Sequence, residues 1–401
     1  MKKVSIVYSQ PLTQIQGINY VNNSFVMGGK YFKDHGLELC HIYAPDAVFD
    51  CTTHNHLDLI GSNVNTATYQ RERKLRVFLR ELLSSKYLLG ACAKMYFNFT
   101  VNERKAIKNL FNAHDDSDYL IFQDMGTVRQ YYKKFGRKST VKSILILHCS
   151  NHPLEQMEPI FPGYFKYEFL KKHSYKECDI AMGLVDKVVY LSERAVNASP
   201  LPSDRKTYIF NGVEDIDYIP TKLDNNVIRL VSVGSVSIHK GQLLLVEAMA
   251  LLPEDVRKRV KLTIVGGGNE YEECKQMIKD RGVEDIVTMT GPRNNVAELL
   301  KDQDVFLLPS LSEGMPMSIL EAMRQGLYIM ATDTGGIPEM IGEGYGELVT
   351  RNPDELAAAV RRVTTESVVN PENKEKSRAR FEKDFTLRKM IERYSQTLLS
   401  L

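Results

Sequence analysis

The 401-residue chain has no stretch of about 18 uncharged apolar residues, which excludes a membrane-spanning helix. The N-terminus offers two lysines and then only the short apolar run 4–8, with no small-residue cleavage site after it, so a secretory leader is not expected. The six cysteines (Cys40, Cys51, Cys92, Cys149, Cys178 and Cys274) form no C-x-x-C pair and are scattered. That spacing argues against a zinc site or a disulfide frame and for reduced thiols in a cytoplasmic protein. There is no excess of one charge: 52 Lys+Arg stand against 50 Asp+Glu, a net of +2, which excludes a dedicated nucleic-acid binder. No repeat of solenoid length occurs. With 43% hydrophobic and 25% charged residues, the chain is neither disordered nor collagen-like.

What is present is an alternation. Short apolar runs at 4–8, 119–122, 144–147, 188–191 and 208–210 form one series, and runs at 230–233, 262–265, 286–289, 305–308 and 328–330 form a second. Such runs suit strands buried on both faces. Stretches with apolar residues at helical spacing lie between them, at 242–252, 271–281 and 295–301 among others. Repeated strand–helix units predict parallel sheets with right-handed crossovers, hence an α/β chain of two doubly wound halves. The polar segment 212–226, GVEDIDYIPTKLDNN, is the expected linker. Residues 385–401 read as a terminal amphipathic helix. Ligands in open sheets of this kind bind outside the carboxyl ends of the strands, so the strand-to-helix loops carry the interest.

The most informative loop lies in 305–323, VFLLPSLSEGMPMSILEAM. A strand ends at Leu308, a polar loop carries Glu313, and a helix is expected from Met315 or Pro316 with Glu321 about a turn and a half inside. The free amides and positive dipole end of a helix start suit a phosphate or a developing negative charge. Two carboxylates so placed suit hydroxylated ligands, although an isolated E-x7-E is more commonly a capping acid and a solvated glutamate. In 231–241, VSVGSVSIHKG, Gly234 admits close backbone approach and Lys240 offers a point charge for a diphosphate; an ordinary loop with a surface lysine reads as well. VGGGNEY at 265–271 fails the G-x-G-x-x-G pattern at Tyr271, leaving Gly266 and Gly268 as a tight turn or a close approach to a nucleotide. In 332–341, TDTGGIPEMI, Gly335 and Gly336 suit a backbone nest. In the first half, QIQGI at 14–18 follows the first strand, and His148 ends another. His148 and His152 do not make a metal pair, because the run before them reads as strand rather than helix. Three D-x-D tripeptides, at 116–118, 215–217 and 302–304, follow no strand's carboxyl end and read as turn and capping residues.

In their order along the chain these segments resemble family 4 of the retaining glycosyltransferases. The order runs from Gly17 through His148, Ser192 in VVYLSE and NGV at 211–213, then to the loop ending at Lys240 and Gly241. VGGGNE, TGP at 290–292, LPSLSEGMPMSILEAM and TGGIPE complete it. The resemblance is strong over 227–377 and loose before it. It implies the GT-B fold: two Rossmann-like domains facing a cleft, spanning 1–222 (acceptor side) and 223–380 (nucleotide-sugar side), with a crossover helix at 381–401 returning to the first. It also implies roles. Glu321 would hold the donor ribose, and Glu313 with the backbone of Gly314, Met315 and Pro316 would face the donor sugar. Lys240 would bind the diphosphate, with Gly234, Ser235 and Gly266 in the loops around it. His148 would lie beside the reacting carbon, the segment around Arg293 would border the base, and Gly17 would lie near diphosphate and acceptor. The family usually has an arginine where this chain has Ser235, so half of a cationic clamp is missing.

The expected activity is therefore transfer of a sugar, with retention, from a nucleotide-sugar (a UDP-sugar) to a hydroxyl of a glycan or lipid-linked acceptor, as in cell-surface polysaccharide biosynthesis, with no obligatory metal or other cofactor. A catalytically weak GT-B partner protein and a nucleotide-sugar epimerase are the alternatives. Residues 71–142 hold sixteen basic residues against seven acidic ones, a local +9 that leaves −7 for the remainder. Bases alternate there with leucines and aromatics, the composition of a surface meeting anionic lipid. A solvated basic face reads equally well. The localisation expected is cytoplasmic, peripheral on the inner face of the plasma membrane.

Overall fold

The computed structural model describes residues 1–12, 17–57, 88–95, 99–136, 140–149, 152, 154, 157–158, 161–220 and 227–401. The chain forms two compact units: Met1–Leu191 with Ala195–Ile209 and Met390–Leu401, and Phe210–Lys389 with Ser192–Arg194. The break at Ile209/Phe210 precedes the expected boundary at 222/223. In its described part, the segment read as a linker is packed into the second unit. Val213 pairs with Thr386, Asp215 meets Arg378, and the Glu214 carbonyl accepts from Arg324.

The first unit holds a seven-stranded sheet in the order β3-β2-β1-β4-β5-β6-β7. Its strands are β1 (Lys2–Val7), β2 (Leu37–Tyr43), β3 (Val48–Asp50), β4 (Tyr119–Phe122), β5 (Lys142–Leu147), β6 (Lys187–Tyr190) and β7 (Lys206–Tyr208). All pairings are parallel except the edge pair β2–β3. The second unit holds a six-stranded, wholly parallel sheet in the order β10-β9-β8-β11-β12-β13. Its strands are β8 (Ile228–Val233), β9 (Val260–Val265), β10 (Val287–Gly291), β11 (Val305–Leu308), β12 (Tyr328–Thr332) and β13 (Gly346–Val349). Both are doubly wound α/β sheets, as the alternation requires.

The continuous apolar runs became the central strands. β11, VFLL, is buried at all four residues because helices cover both faces of a parallel sheet. Each such side chain contributes about 1.5–3 kcal/mol on burial. The sequence reading missed β2, β3 and β13. In LELCHIY, Glu38 and His41 interrupt the apolar run; β3 has three residues; β13 reads GELV, with a single buried position. The run 208–210 forms strand only up to Tyr208, since Phe210 leaves the sheet to stack edge-on against Phe385. The terminal helix Leu387–Leu399 buries Met390, Ile391, Tyr394 and Leu398, with the Tyr394 ring 4.9 Å from Phe25. Cys40, Cys149, Cys178 and Cys274 are buried, Cys51 and Cys92 half-buried, and all six are free thiols.

The D-x-D tripeptide 302–304 is more than a turn. Asp304, fully buried, accepts from the Arg229 guanidinium at 3.0 and 3.1 Å and from Lys374 Nζ at 3.3 Å. Two cations on one carboxylate tie β8, β11 and the helix Pro371–Asp384 together. Removing one partner of a buried ion pair strands the others without water. We therefore expect Asp304→Ala to cost about 3–5 kcal/mol in urea unfolding followed by far-ultraviolet circular dichroism.

Candidate functional site

In the second sheet the strand order reverses between β8 and β11, which lie side by side. Loops leaving adjacent strands at such a switch point run to opposite faces and leave a ligand-sized opening. The loop after β8 brings Lys240 and the loop after β11 brings Glu313. Lys240 Nζ donates to Glu313 Oε1 at 2.6 Å, and Ser310 Oγ donates to the same oxygen at 2.6 Å. The Glu313 side chain is 9% exposed and that of Lys240 24%, so the pair meets solvent from the lysine side.

Close backbone contact fixes these loops. Gly266 has φ +138°, and a Cβ there would lie 1.9 Å from the Gly234 carbonyl oxygen. Gly266 and Gly268 thus let the β9 loop pack against the β8 loop. Gly335, at φ +58°, would place a Cβ 2.0 Å from the Glu313 carbonyl oxygen. The Gly336 amide donates to the Gly314 carbonyl at 2.7 Å, so this half of the supposed nest is already engaged behind the Glu313 loop.

Three residues outside the expected set hold the same loops. Arg351 donates to the carbonyls of Pro309 at 2.5 Å and Ile238 at 2.9 Å, stapling the Lys240 loop to the Glu313 loop. Thr332 Oγ1 donates to the Ser310 carbonyl at 2.7 Å. Asn211, from the NGV motif, donates through Nδ2 to the Met315 carbonyl at 3.0 Å. Arg351 follows β13, the strand that composition concealed, and no motif marks it.

The helix after this loop is Met317–Arg324, with Pro316 as its N-cap rather than in its first turn. Proline has no side chain to satisfy the leading amides, and none is capped by Pro316. Met315 and Pro316 are buried, and Gly314 is half-buried. Glu321 is also half-buried rather than solvated. Burial pushes its carboxyl pKa up, offset in part by Arg324. Ser235 is exposed, with its carbonyl accepting from Gln242 Nε2 at 3.1 Å, and Arg293 is exposed beyond β10. Among the described residues no three His, Cys, Asp or Glu are grouped to hold a metal ion.

In the first unit Gly17 opens the helix Gly17–Met27, and His148 follows β5. The His148 Nε2 lies 2.5 Å from Gln123 Oε1, and burial lowers the imidazole pKa to about 4, so the ring is neutral at physiological pH. His152 stacks on Tyr175 at 4.3 Å instead of joining His148.

Two doubly wound α/β units make the GT-B fold. Residues 216–384 match the family described as Glycosyl transferases group 1. It is 27% identical over 211 residues to a phosphatidylinositol N-acetylglucosaminyltransferase protein of Arabidopsis thaliana, covering 50% of this chain and 46% of that one. The chain thus spans less than half the length of that relative. It is 25% identical over 330 residues, 80% of this chain and 83% of the other, to the GalNAc-alpha-(1->4)-GalNAc-alpha-(1->3)-diNAcBac-PP-undecaprenol alpha-1,4-N-acetyl-D-galactosaminyltransferase of Campylobacter jejuni. HepE of Anabaena, solved with UDP and glucose, superposes with a TM-score of 0.68 over 100% of both chains at 17% identity, a likeness of fold.

Burial disfavours the charged form of Glu321, so ionising this carboxyl in the folded protein costs stability. A carboxyl whose pKa is raised in the fold carries its full penalty above that pKa, and the penalty is relieved as pH falls from it to the lower pKa of the unfolded chain. Glu321→Gln is expected to raise the melting temperature of the unliganded protein by about 2–4 °C at neutral pH, a difference that shrinks on acidification. Differential scanning fluorimetry across pH measures this.

Proposed function

We propose that the protein is a retaining glycosyltransferase that moves a sugar from a UDP-sugar to a hydroxyl of a glycan or lipid-linked acceptor. The observation that carries this reading is the Lys240–Glu313 pair at the switch point of the unit that matches the group 1 family. In this reading an incoming diphosphate displaces Glu313 as the partner of Lys240. Glu313 is thereby released to accept from hydroxyls of the donor sugar, and Glu321 accepts from the ribose. The uncapped amides at the start of Met317–Arg324 add their dipole to the charge stabilisation. Lys240 and these amides carry the leaving-group charge, and the scheme assigns no step to a metal or cofactor. His148, neutral, is assigned to the reacting sugar. The UDP of the HepE structure and the lipid-linked glycan in the Campylobacter relative's name support the donor and acceptor classes.

Removal of a preorganised charge partner from a developing anion typically costs a factor of about 10²–10³ in kcat. Lys240→Ala is expected to lose that much with purified protein and a UDP-sugar panel, and product NMR is expected to show retained anomeric configuration. An inverted product would refute the retaining assignment.

One observation favours a second reading. Ser235 supplies no charge where the family carries arginine, and in that reading the protein binds donor but needs a partner transferase. Turnover by the purified chain alone decides between them.

We also propose contact with an anionic membrane surface. Residues 71–87, 96–98 and 137–139 of the basic stretch lie outside the described residues. In the described remainder, exposed Phe111 and Phe135 lie 6.1 Å apart, with Lys134 Nζ 3.5 Å from the Phe111 ring centre and Lys105, Lys108 and Lys133 also exposed. Among the described residues no helix is long and apolar enough to cross a membrane. Near such a surface each lysine contributes about 1 kcal/mol. The double substitution Lys133→Gln and Lys134→Gln is expected to weaken cosedimentation with phosphatidylglycerol vesicles by about thirtyfold, and turnover on a soluble acceptor is expected to stay unchanged.

A further inference from the structure

The first sheet also has a switch point, between β1 and β4. A buried chain of neutral amides crosses it and ends on His148. Asn19 Nδ2 donates to the backbone carbonyls of Pro11 at 3.0 Å and Leu12 at 3.4 Å. Asn22 Nδ2 lies 3.5 Å from Asn19 Oδ1, Gln123 Nε2 lies 2.9 Å from Asn22 Oδ1, and Gln123 Oε1 meets His148 Nε2 at 2.5 Å. Asn19 and Asn22 are fully buried, and Gln123 is 2% exposed.

The direction of this chain follows from its anchored end. A carbonyl only accepts, so Asn19 must present its NH₂ to Pro11 and Leu12 and its oxygen to Asn22. Asn22 must then donate to Asn19, which leaves its own oxygen for Gln123. Gln123 in turn must donate to Asn22, which leaves Oε1 for His148. An amide oxygen facing an imidazole nitrogen requires a proton on that nitrogen. Each amide has one donor end and one acceptor end, and two fixed backbone carbonyls therefore set the histidine's tautomer.

We infer that Gln123 is a positioning residue that fixes His148 as its Nε2–H tautomer and thereby leaves Nδ1 as a lone pair able only to accept from a substrate hydroxyl. The depressed basicity of the ring agrees, because a neutral imidazole in one tautomer has one acceptor to offer. The substrate part of the inference rests on the assignment of His148 to the reacting sugar; the tautomer part does not.

The test is ¹⁵N NMR of the histidine-labelled full chain at about pH 8, where the free side chain is neutral. His148 is identified by the signal lost in His148→Asn. Wild type is expected to show a protonated Nε2 and an unprotonated Nδ1. Gln123→Met, which removes the acceptor, is expected to give a mixture of tautomers. In turnover, Gln123→Met is expected to lower kcat about tenfold with the donor KM nearly unchanged. A protonated Nδ1 in wild type, or an unchanged tautomer in Gln123→Met, overturns the inference, as does a loss confined to KM. Because the wild-type spectrum does not depend on Gln123→Met, instability of that variant does not shield the inference. Failure of the proposed activity shows differently, as no turnover by wild type with any UDP-sugar while the tautomer remains single.

Discussion

Glu313 is a carboxylate with 9% of its side chain in water, and a charge in that position persists only with partners that replace its solvent. Lys240 and Ser310 are those partners, both on the same oxygen. They come from loops after two different strands, so the pair exists only if both loops hold their place to within a few tenths of an ångström. Much of the second unit serves that demand. Gly335 lets the β12 loop back onto the Glu313 carbonyl, and Gly266 lets the β9 loop reach Gly234. Arg351 joins the two loops through three carbonyls. Asp304 ties β8 to β11 beneath them.

The first unit joins its switch-point loops in another way. Amides and an imidazole satisfy one another and backbone carbonyls, and beside them Asp124 accepts from the Ser9 and Thr127 amides. A neutral chain avoids the desolvation penalty of an ion, and it carries direction, since donors and acceptors must alternate. The second unit thus centres on an ion pair between two loops, and the first on a histidine that meets an amide.

Much of this was legible beforehand, for definite reasons. Central strands of a parallel sheet are buried on both faces, so VFLL at 305–308 and YLIF at 119–122 stand out as unbroken apolar runs. The loops that follow them can be placed once the strands are, which is why Lys240, Glu313 and His148 were found at strand ends. Edge strands give no such signal. β3 pairs on one side only and needs just three residues, and β13 buries a single position. With β13 hidden, Arg351 after it had no context, although it makes several of the contacts that shape the site. Asp304 was hidden differently: a D-x-D before a strand usually marks a turn, and its cations come from Arg229 and from Lys374, 70 residues further along.

By itself the sequence determined the two doubly wound halves, the loops that bear the charged residues, and the order of motifs in 216–384, the region that matches the group 1 glycosyl transferase family. These are local properties, set by burial periodicity and by residues close together in the chain. Only the tertiary structure decided what those residues touch. It showed that the glycines after β9 make room for a neighbouring loop, that Glu321 is half-buried, and that His148 meets Gln123 at the end of a chain reaching Asn22, 101 residues before Gln123. Hydrogen-bond direction and ion pairing depend on atoms brought together by strand order, and strand order at a switch point joins segments far apart in sequence.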